Sequence, residues 1–243
     1  MNVIGDTHIG LVRENNQDAL AYGALCQQAE YAVVCDGMGG ANGGNIASEI
    51  AVRVIGERVR AAYESGDPIR SVDHLLESAT AAANVEIYDK AHSTPELEGM
   101  GTTLVTVVRY GRTAYLSHVG DSRAYLYRGG ELSQITRDHS VVQEMIESGQ
   151  ITDEQAKSHP RRHFITRALG VAPEECGEYD ELDLLPGDKL LLCTDGLTNM
   201  VDIATIAEVL STLDNTAAVS SLIKTALDNG GTDNVTVVIM DIC

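Results

Sequence analysis

The sequence predicts an α+β fold in which two antiparallel β-sheets pack face to face and pairs of helices cover their outer faces. Strand-like apolar segments occur in runs, helical patterns occur in pairs, and the strict strand–helix alternation of a parallel sheet is missing. With one Phe and no Trp, the core of this fold is expected to be aliphatic. No repeat or linker divides the chain, so residues 1–243 are predicted to form a single domain.

The first part of the chain combines two strands, a glycine-dense turn and two helices. The predicted elements are the strands Leu20–Cys26 and Tyr31–Cys35, the turn Asp36–Gly44, and helices over about Asn45–Tyr63 and Ile69–Ala91. Apolar residues recur at helical spacing in both helices, and the turn Ser65–Pro68 separates them.

The middle of the chain returns to strands. Short glycine-containing turns separate four strand patterns, at Thr102–Arg109, Thr113–Val119, Ser122–Tyr127 and Glu131–Thr136. This spacing predicts an antiparallel meander. A polar, partly helical segment follows over about Arg137–Gly170. The remaining predicted elements are the strands Glu178–Leu184, Lys189–Thr194 and Val235–Asp241, and helices over about Ile203–Leu213 and Thr216–Asn229.

Charge and composition argue against several classes of partner. Seventeen basic and 36 acidic residues give a net charge of −19, and a field of this sign repels nucleic acids and anionic lipids. No apolar run reaches the roughly 18 residues of a membrane span. The N-terminus lacks signal-peptide features, and five cysteines form no C-x-x-C pair. We therefore expect a cytoplasmic protein that binds neither nucleic acid nor membrane.

Five carboxylates share one local context, the predicted end of a strand, and three of them are next to glycine. Asp-Gly follows an apolar run twice, at Asp36 and at Asp195, while Asp121 follows a strand and Gly120; the other two acids, Asp18 and Asp233, each precede a strand. A single Asp-Gly is usually only a turn. Five such acids at one sheet edge would repel one another unless cations lay between them, and oxygen ligands favour magnesium, manganese or calcium over zinc.

Paired divalent cations would determine the chemistry. Two cations a few ångströms apart turn a bridging water into a hydroxide nucleophile near neutral pH, and a phosphate ester is its natural substrate. Arg13, which precedes Asp18 by five residues, is the candidate for holding the phosphate, because guanidinium binds phosphate through two parallel hydrogen bonds. An ordinary surface arginine is the alternative for this residue.

Six segments, in order, resemble the metal-dependent protein serine/threonine phosphatases (PPM family, type 2C). They are Gly10–Asp18, Val34–Gly40, Gly101–Thr103, Gly120–Ala124, Leu192–Leu197 and Gly231–Thr236. The resemblance implies a β-sandwich with flanking helix pairs and a metal centre at one end, holding two Mg²⁺ or Mn²⁺ ions and a weaker third. The chain length is similar to that of a bacterial stand-alone catalytic domain.

The resemblance also implies a role for each matched residue. Asp36 would bridge two metals and the Gly37 carbonyl would bind one of them, while Asp195 and Asp233 would complete the other. Asp18 would act mainly through a metal-bound water. Asp121, together with Asp195, would hold the third metal. Arg13 would bind the substrate phosphate, and Asn234 would support the neighbouring acid.

Other parts of the resemblance concern substrate and proton supply. Segment 137–170 resembles the family's mobile flap. Many relatives carry a general-acid histidine where this chain has Met38 or Ala41, so the general acid is unassigned. His159 and His163 of the flap are only speculative substitutes for it.

The implied substrates are phosphoproteins made by a Ser/Thr kinase, and the implied state is a monomer. The alternative is a catalytically weak or inactive relative that acts as a phosphoprotein-binding regulatory module.

Overall fold

The computed structural model describes residues 2–64 and 71–242, apart from the side chains of residues 40–42. Within this part, two antiparallel sheets pack between two helical layers, so the predicted fold class is confirmed. The first sheet has the order β1-β11-β10-β7-β8 and the second β2-β3-β5-β6-β9, with β4 also pairing with β3. No described helix is both long and apolar enough to cross a membrane.

The elements follow one another closely along the chain. The strands are β1 (Val3–His8), β2 (Asp18–Cys26), β3 (Ala29–Met38), β4 (Gly101–Thr102), β5 (Leu104–Tyr110), β6 (Thr113–Val119), β7 (Arg123–Arg128), β8 (Glu131–Gln134), β9 (Glu178–Asp183), β10 (Lys189–Cys193) and β11 (Val235–Asp241). The helices are α1 (Gly40–Glu64), α2 (Val72–Ser93), α3 (Val141–Glu147), α4 (Asp153–Lys157), α5 (Asp195–Thr198), α6 (Ile203–Thr212) and α7 (Asn215–Asp228).

Three aliphatic cores hold the four layers together. Alternate residues of one strand serve two of them: Val33 faces α1 and α2, whereas Val34 lies between the sheets. On the other side, Leu191 packs towards α6 and α7, whereas Leu192 lies between the sheets. This alternation follows from the two-residue period of a strand that is covered on both faces.

The predicted four-strand meander is wrong. β6 pairs with β9 and β7 pairs with β10, so the chain leaves one sheet and enters the other between them. The change occurs at Gly120, whose φ of 100° lies in the left-handed region that favours glycine. Asp121 follows directly and therefore lies where the chain passes from one sheet to the other.

Two further elements differ from the sequence prediction. β1 was not predicted, although it pairs with β11 over its whole length. In place of the predicted turn Asp36–Gly44, the structure has the end of β3 followed by the start of α1. A Cβ on Gly44 would lie only 2.7 Å from the Gly37 carbonyl carbon. Glycine thus lets the helix approach the strand. The predicted turn Ser65–Pro68 lies outside the described residues.

Segment 137–170, called the flap below, carries α3 and α4. Side-chain caps begin both helices: Ser140 accepts a hydrogen bond from the Gln143 amide, and Thr152 and Gln155 form a capping box. Of two isolated β-bridges, Ser140–Ile165 joins the two ends of the flap segment, and Thr102–Leu169 joins the flap to β4.

Candidate metal centre

Five acids meet at one end of the sandwich, each delivered by the end of an element. Asp18 and Asp36 are partners across β2 and β3. Asp195 begins α5 directly after β10, Asp233 precedes β11, and Asp121 follows β6. All except Asp18 line one cavity of about 660 Å³, which Arg13 and Gly37 also line. Asp18 is buried behind the cavity wall.

The glycine after each of two acids is required by close packing of the backbone. A Cβ on Gly37 would lie 2.0 Å from the Gly44 carbonyl oxygen, and a Cβ on Gly196 would lie 1.9 Å from the Asn234 carbonyl oxygen. No side chain fits at such distances. Gly37 lets α1 approach the strand that carries Asp36, and Gly196 lets the loops that carry Asp195 and Asp233 approach each other.

The acids oppose one another's ionisation. Burial raises the pKa of Asp36 well above its ordinary value, and four neighbouring carboxylates raise it further. Burial is also the main cause for Asp18, whose pKa rises to about 7, and for Asp121, whose pKa rises to about 8. The pKa of Asp195 is raised in the same way. A cation among these groups would reverse the repulsion.

The oxygen atoms of the cluster suit a hard divalent cation. Two buried carboxylate oxygens of the described residues, Asp18 Oδ1 and Asp195 Oδ1, have no hydrogen-bond partner. The second oxygen of Asp195 accepts a hydrogen bond from Asn199 Nδ2 at 2.9 Å. Buried acceptors without donors are costly unless a cation satisfies them, and carboxylate oxygens suit hard cations such as Mg²⁺, Mn²⁺ or Ca²⁺. The residues present therefore fit the implied metals.

Arg13 lies beside the acids at the rim of the cavity. Its Nη2 is 2.7 Å from Asp233 Oδ2, and half of its side chain is exposed. The hydrogen bond to Asp233 raises the pKa of Arg13, and charges on Asp36 and Asp195 add to it. The guanidinium is therefore close to the carboxylates while still open to a molecule that enters the cavity.

Asn234 joins the loop of Arg13 to the loop of Asp233. Its side-chain amide donates to the carbonyls of Ile9 and Asn15, at 2.8 and 3.0 Å. Its side-chain oxygen accepts from the Gln17 amide at 2.8 Å, and its backbone N–H donates to Asp233 Oδ1 at 2.9 Å. Asn234 thus fixes the positions of both loops, and only its backbone touches the acid.

Hydroxyls that received no role from the sequence hold Asp36 in place. Thr103 Oγ1 accepts from the Asp36 amide at 2.8 Å and lies 2.7 Å from Ser122 Oγ. Thr102 Oγ1 donates to the Asp36 carbonyl at 2.9 Å. Threonines are ordinary strand residues, so composition and spacing do not single out these two as supports of the site. They fall in Gly101–Thr103, one of the six segments that resemble the phosphatase family.

A second cluster of candidate metal ligands lies outside this cavity, at His118, His139 and Glu178. The His139 Nδ1 accepts from the Gly120 amide at 3.0 Å, so the proton of this ring lies on Nε2, 3.0 Å from Glu178. Arg167 Nη1 is 3.1 Å from the same Nε2. A guanidinium and a protonated nitrogen oppose cation binding there. The cluster instead connects the loop before Asp121 to the flap.

The flap contributes to the cavity wall. His163 and Ile165 line the cavity, whereas His159 is not among its lining residues. Met38, one of the two positions at which the resemblance leads us to look for a general-acid histidine, also lines it. The side chain of Ala41, the other such position, lies outside the described residues.

Comparison with known proteins agrees with this geometry. A family model described as Protein phosphatase 2C matches residues 4–228. The chain is 40% identical to the serine/threonine protein phosphatase PstP of Mycobacterium tuberculosis over 233 residues, covering 96% of this chain but 43% of that protein. It is 36% identical to the serine/threonine phosphatase stp of Listeria innocua, covering 97% and 93% of the two chains.

A solved structure extends the similarity to three dimensions. It is the catalytic domain of the serine/threonine protein phosphatase PstP in complex with two manganese ions, with a TM-score of 0.87 and 37% identity. The match covers 98% of this chain and 96% of that one. The manganese ions belong to that structure.

Proposed function

The chain belongs to the protein phosphatase 2C family, and from that premise we propose that it hydrolyses phosphoserine and phosphothreonine in other proteins. The observation that carries the proposal is the meeting of Asp36, Asp195 and Asp233 around one cavity beside Arg13. A relative that only binds phosphoproteins would not need to keep these acids together. The enzyme is therefore the better interpretation.

The cofactors that fit this cavity are Mg²⁺ or Mn²⁺ ions, two at the core and a weaker third. The residues that would hold them are Asp36, the Gly37 carbonyl, Asp195 and Asp233 at the core, Asp121 with Asp195 at the third ion, and Asp18 through water. Bound cations of this kind neutralise phosphate charge and lower the pKa of water so that it attacks phosphorus near neutral pH. Burial and the repulsion among the acids support this assignment.

The chain's own residues orient the substrate. Arg13 would hold the phosphate oxygens through two parallel guanidinium hydrogen bonds. Asn234 holds the loop of Arg13 at three backbone groups, and Asp233 pairs with the guanidinium, so Arg13 is already beside the cavity before substrate arrives. The flap residues His163 and Ile165 border the same cavity and would contact the protein part of the substrate.

The cellular setting follows from composition and family. We propose that one catalytic domain, with a flap at 137–170, acts as a cytoplasmic monomer on phosphoproteins made by a Ser/Thr kinase. The described cysteines Cys26, Cys35, Cys176 and Cys193 are all free, which suits a reducing compartment. A net charge of −19 disfavours nucleic acids and membranes as partners.

The test is hydrolysis of a phosphothreonine peptide with Mn²⁺, with Mg²⁺ and with a chelator. We expect turnover with either metal, loss of turnover in chelator, and recovery when metal is restored. Turnover that persists in chelator would refute the metal mechanism. Peptide binding without turnover under any metal would identify the inactive, phosphoprotein-binding alternative.

A further inference from the structure

Asp18 is held by only one of its two oxygens. Its Oδ2 accepts hydrogen bonds from Thr194 Oγ1 at 2.9 Å and from Thr236 Oγ1 at 2.6 Å. Its Oδ1 is buried and has no partner among the described residues. Both threonines are completely buried. The carboxylate therefore has one oxygen fixed by the protein and one left free inside the cluster of acids.

The direction of the hydrogen bonds is determined by what surrounds each hydroxyl. The Thr194 Oγ1 already accepts from the Thr236 amide at 3.1 Å, so its proton is available for Asp18. Asn16 Nδ2 donates to Thr7 Oγ1 at 3.0 Å, and Thr7 Oγ1 lies 2.7 Å from Thr236 Oγ1. Since the Thr236 proton points to Asp18, Thr7 must donate to Thr236. A directed chain thus runs from Asn16 to Asp18, and each bond polarises the next.

These bonds connect the two sheets at the metal end of the sandwich. Asp18 begins β2 of the second sheet, whereas Thr194 directly follows β10 and Thr236 lies in β11 of the first. Asp195 directly follows Thr194 in the sequence, and Asp233 lies three residues before Thr236. The strand ends that supply two acids therefore also supply the donors that orient a third.

We propose that Thr194 and Thr236 are positioning residues for a divalent cation: by holding Asp18 through Oδ2, they keep Oδ1 free for the cation or for a water on it. This inference rests on the proposed metal-dependent function. Partners that orient a metal ligand commonly change metal affinity by 10–100-fold when they are removed. Without the two hydroxyls, the carboxylate could rotate and Oδ1 would lose its fixed orientation.

The variants Thr194→Val and Thr236→Val remove the hydroxyl at nearly constant shape, and Thr194→Ser and Thr236→Ser retain it. Thr106→Val is the matched control, because Thr106 is equally buried and its hydroxyl has no hydrogen-bond partner. Thr7→Val is a milder variant that breaks the chain one step before Thr236, should the other valine variants fail to fold.

The measurement is Mn²⁺ affinity by calorimetry without substrate, together with urea unfolding in chelator. We expect each valine variant at 194 or 236 to weaken one Mn²⁺ by about tenfold or more. Thr7→Val should weaken it less, and the serine variants and Thr106→Val should bind as wild type does. Folded valine variants with unchanged Mn²⁺ affinity and reduced stability would show a purely structural role and overturn the inference. A wild-type protein that binds no Mn²⁺ would instead overturn the proposed function.

Discussion

Raising the pH should destabilise the folded protein when chelator is present. Burial raises the pKa of Asp121 to about 8 and that of Asp18 to about 7, so both hold a proton in the folded chain at pH values where the unfolded chain has lost it. Stability from such groups is lost as pH rises through the folded-state pKa. Burial lowers the pKa of His118 and His139, so these residues act in the opposite direction below about pH 6.5.

The size of the effect follows from the width of each interval. Every pH unit over which one carboxyl is protonated only in the folded chain changes the free energy of unfolding by ~1.4 kcal/mol. Between about pH 6.5 and about pH 8.5, the Asp121 carboxyl is protonated only in the folded chain over about 1.5 pH units, and the Asp18 carboxyl over about 0.5 pH units. The expected loss from these two groups alone is therefore about 3 kcal/mol, a large share of the ~5–15 kcal/mol typical of a folded protein. Asp36, whose pKa burial also raises, adds to the loss in the same direction.

Urea unfolding in chelator across this pH range measures the loss directly. Asp121→Asn removes the group with the wider interval, so this variant should show a clearly smaller decline than wild type. Saturating Mn²⁺ should abolish the decline, because cations favour the ionised carboxylates. A free energy of unfolding that stays constant or rises with pH in chelator would refute the view that burial and neighbouring carboxylates keep Asp121 and Asp18 protonated.

Three sets of variants separate the proposed roles of the site residues. Asp36→Asn and Asp233→Asn should lower kcat on an aryl phosphate by a thousandfold or more, because metal ions supply roughly several kcal/mol of transition-state stabilisation. Their near-UV circular dichroism should be unchanged, and full activity would exclude these acids as metal ligands. Asp121→Ala should weaken one Mn²⁺ and lower turnover, and an unaltered dependence of rate on Mn²⁺ concentration would contradict this. Arg13→Ala should raise KM for a phosphopeptide by roughly 10–100-fold, which corresponds to the free energy of hydrogen bonds to a charged group. It should change Mn²⁺ affinity much less. Equal effects on KM and on Mn²⁺ affinity would mean that Arg13 is structural.

The layered fold could be predicted because most strands carry their own signal. β11 and β6 were predicted with the bounds that the structure gives them. β1 was missed because Gly5 and Asp6 interrupt its apolar pattern, and its position depends on pairing with β11. The meander was predicted wrongly because strand spacing does not specify which sheet a strand joins, and the change of sheet depends on one left-handed glycine.

The acids of the site could be named from the sequence because all five lie just after or just before a strand and three of them are next to glycine. Their partners could not. Thr194 and Thr236 look like ordinary β-branched strand residues, and their hydrogen bonds to Asp18 span 176 and 218 residues of sequence. Likewise, the link between His139 and the Gly120 amide exists only because the chain changes sheets at that point.

Anomalous diffraction from a crystal grown in ample Mn²⁺ would test most directly whether the carboxylates hold divalent cations. We predict two strong peaks within coordination distance of Asp36, Asp195 and Asp233, and a weaker third beside Asp121. A map with no peak in this cavity, or with manganese only at His118 and His139, would contradict the assignment.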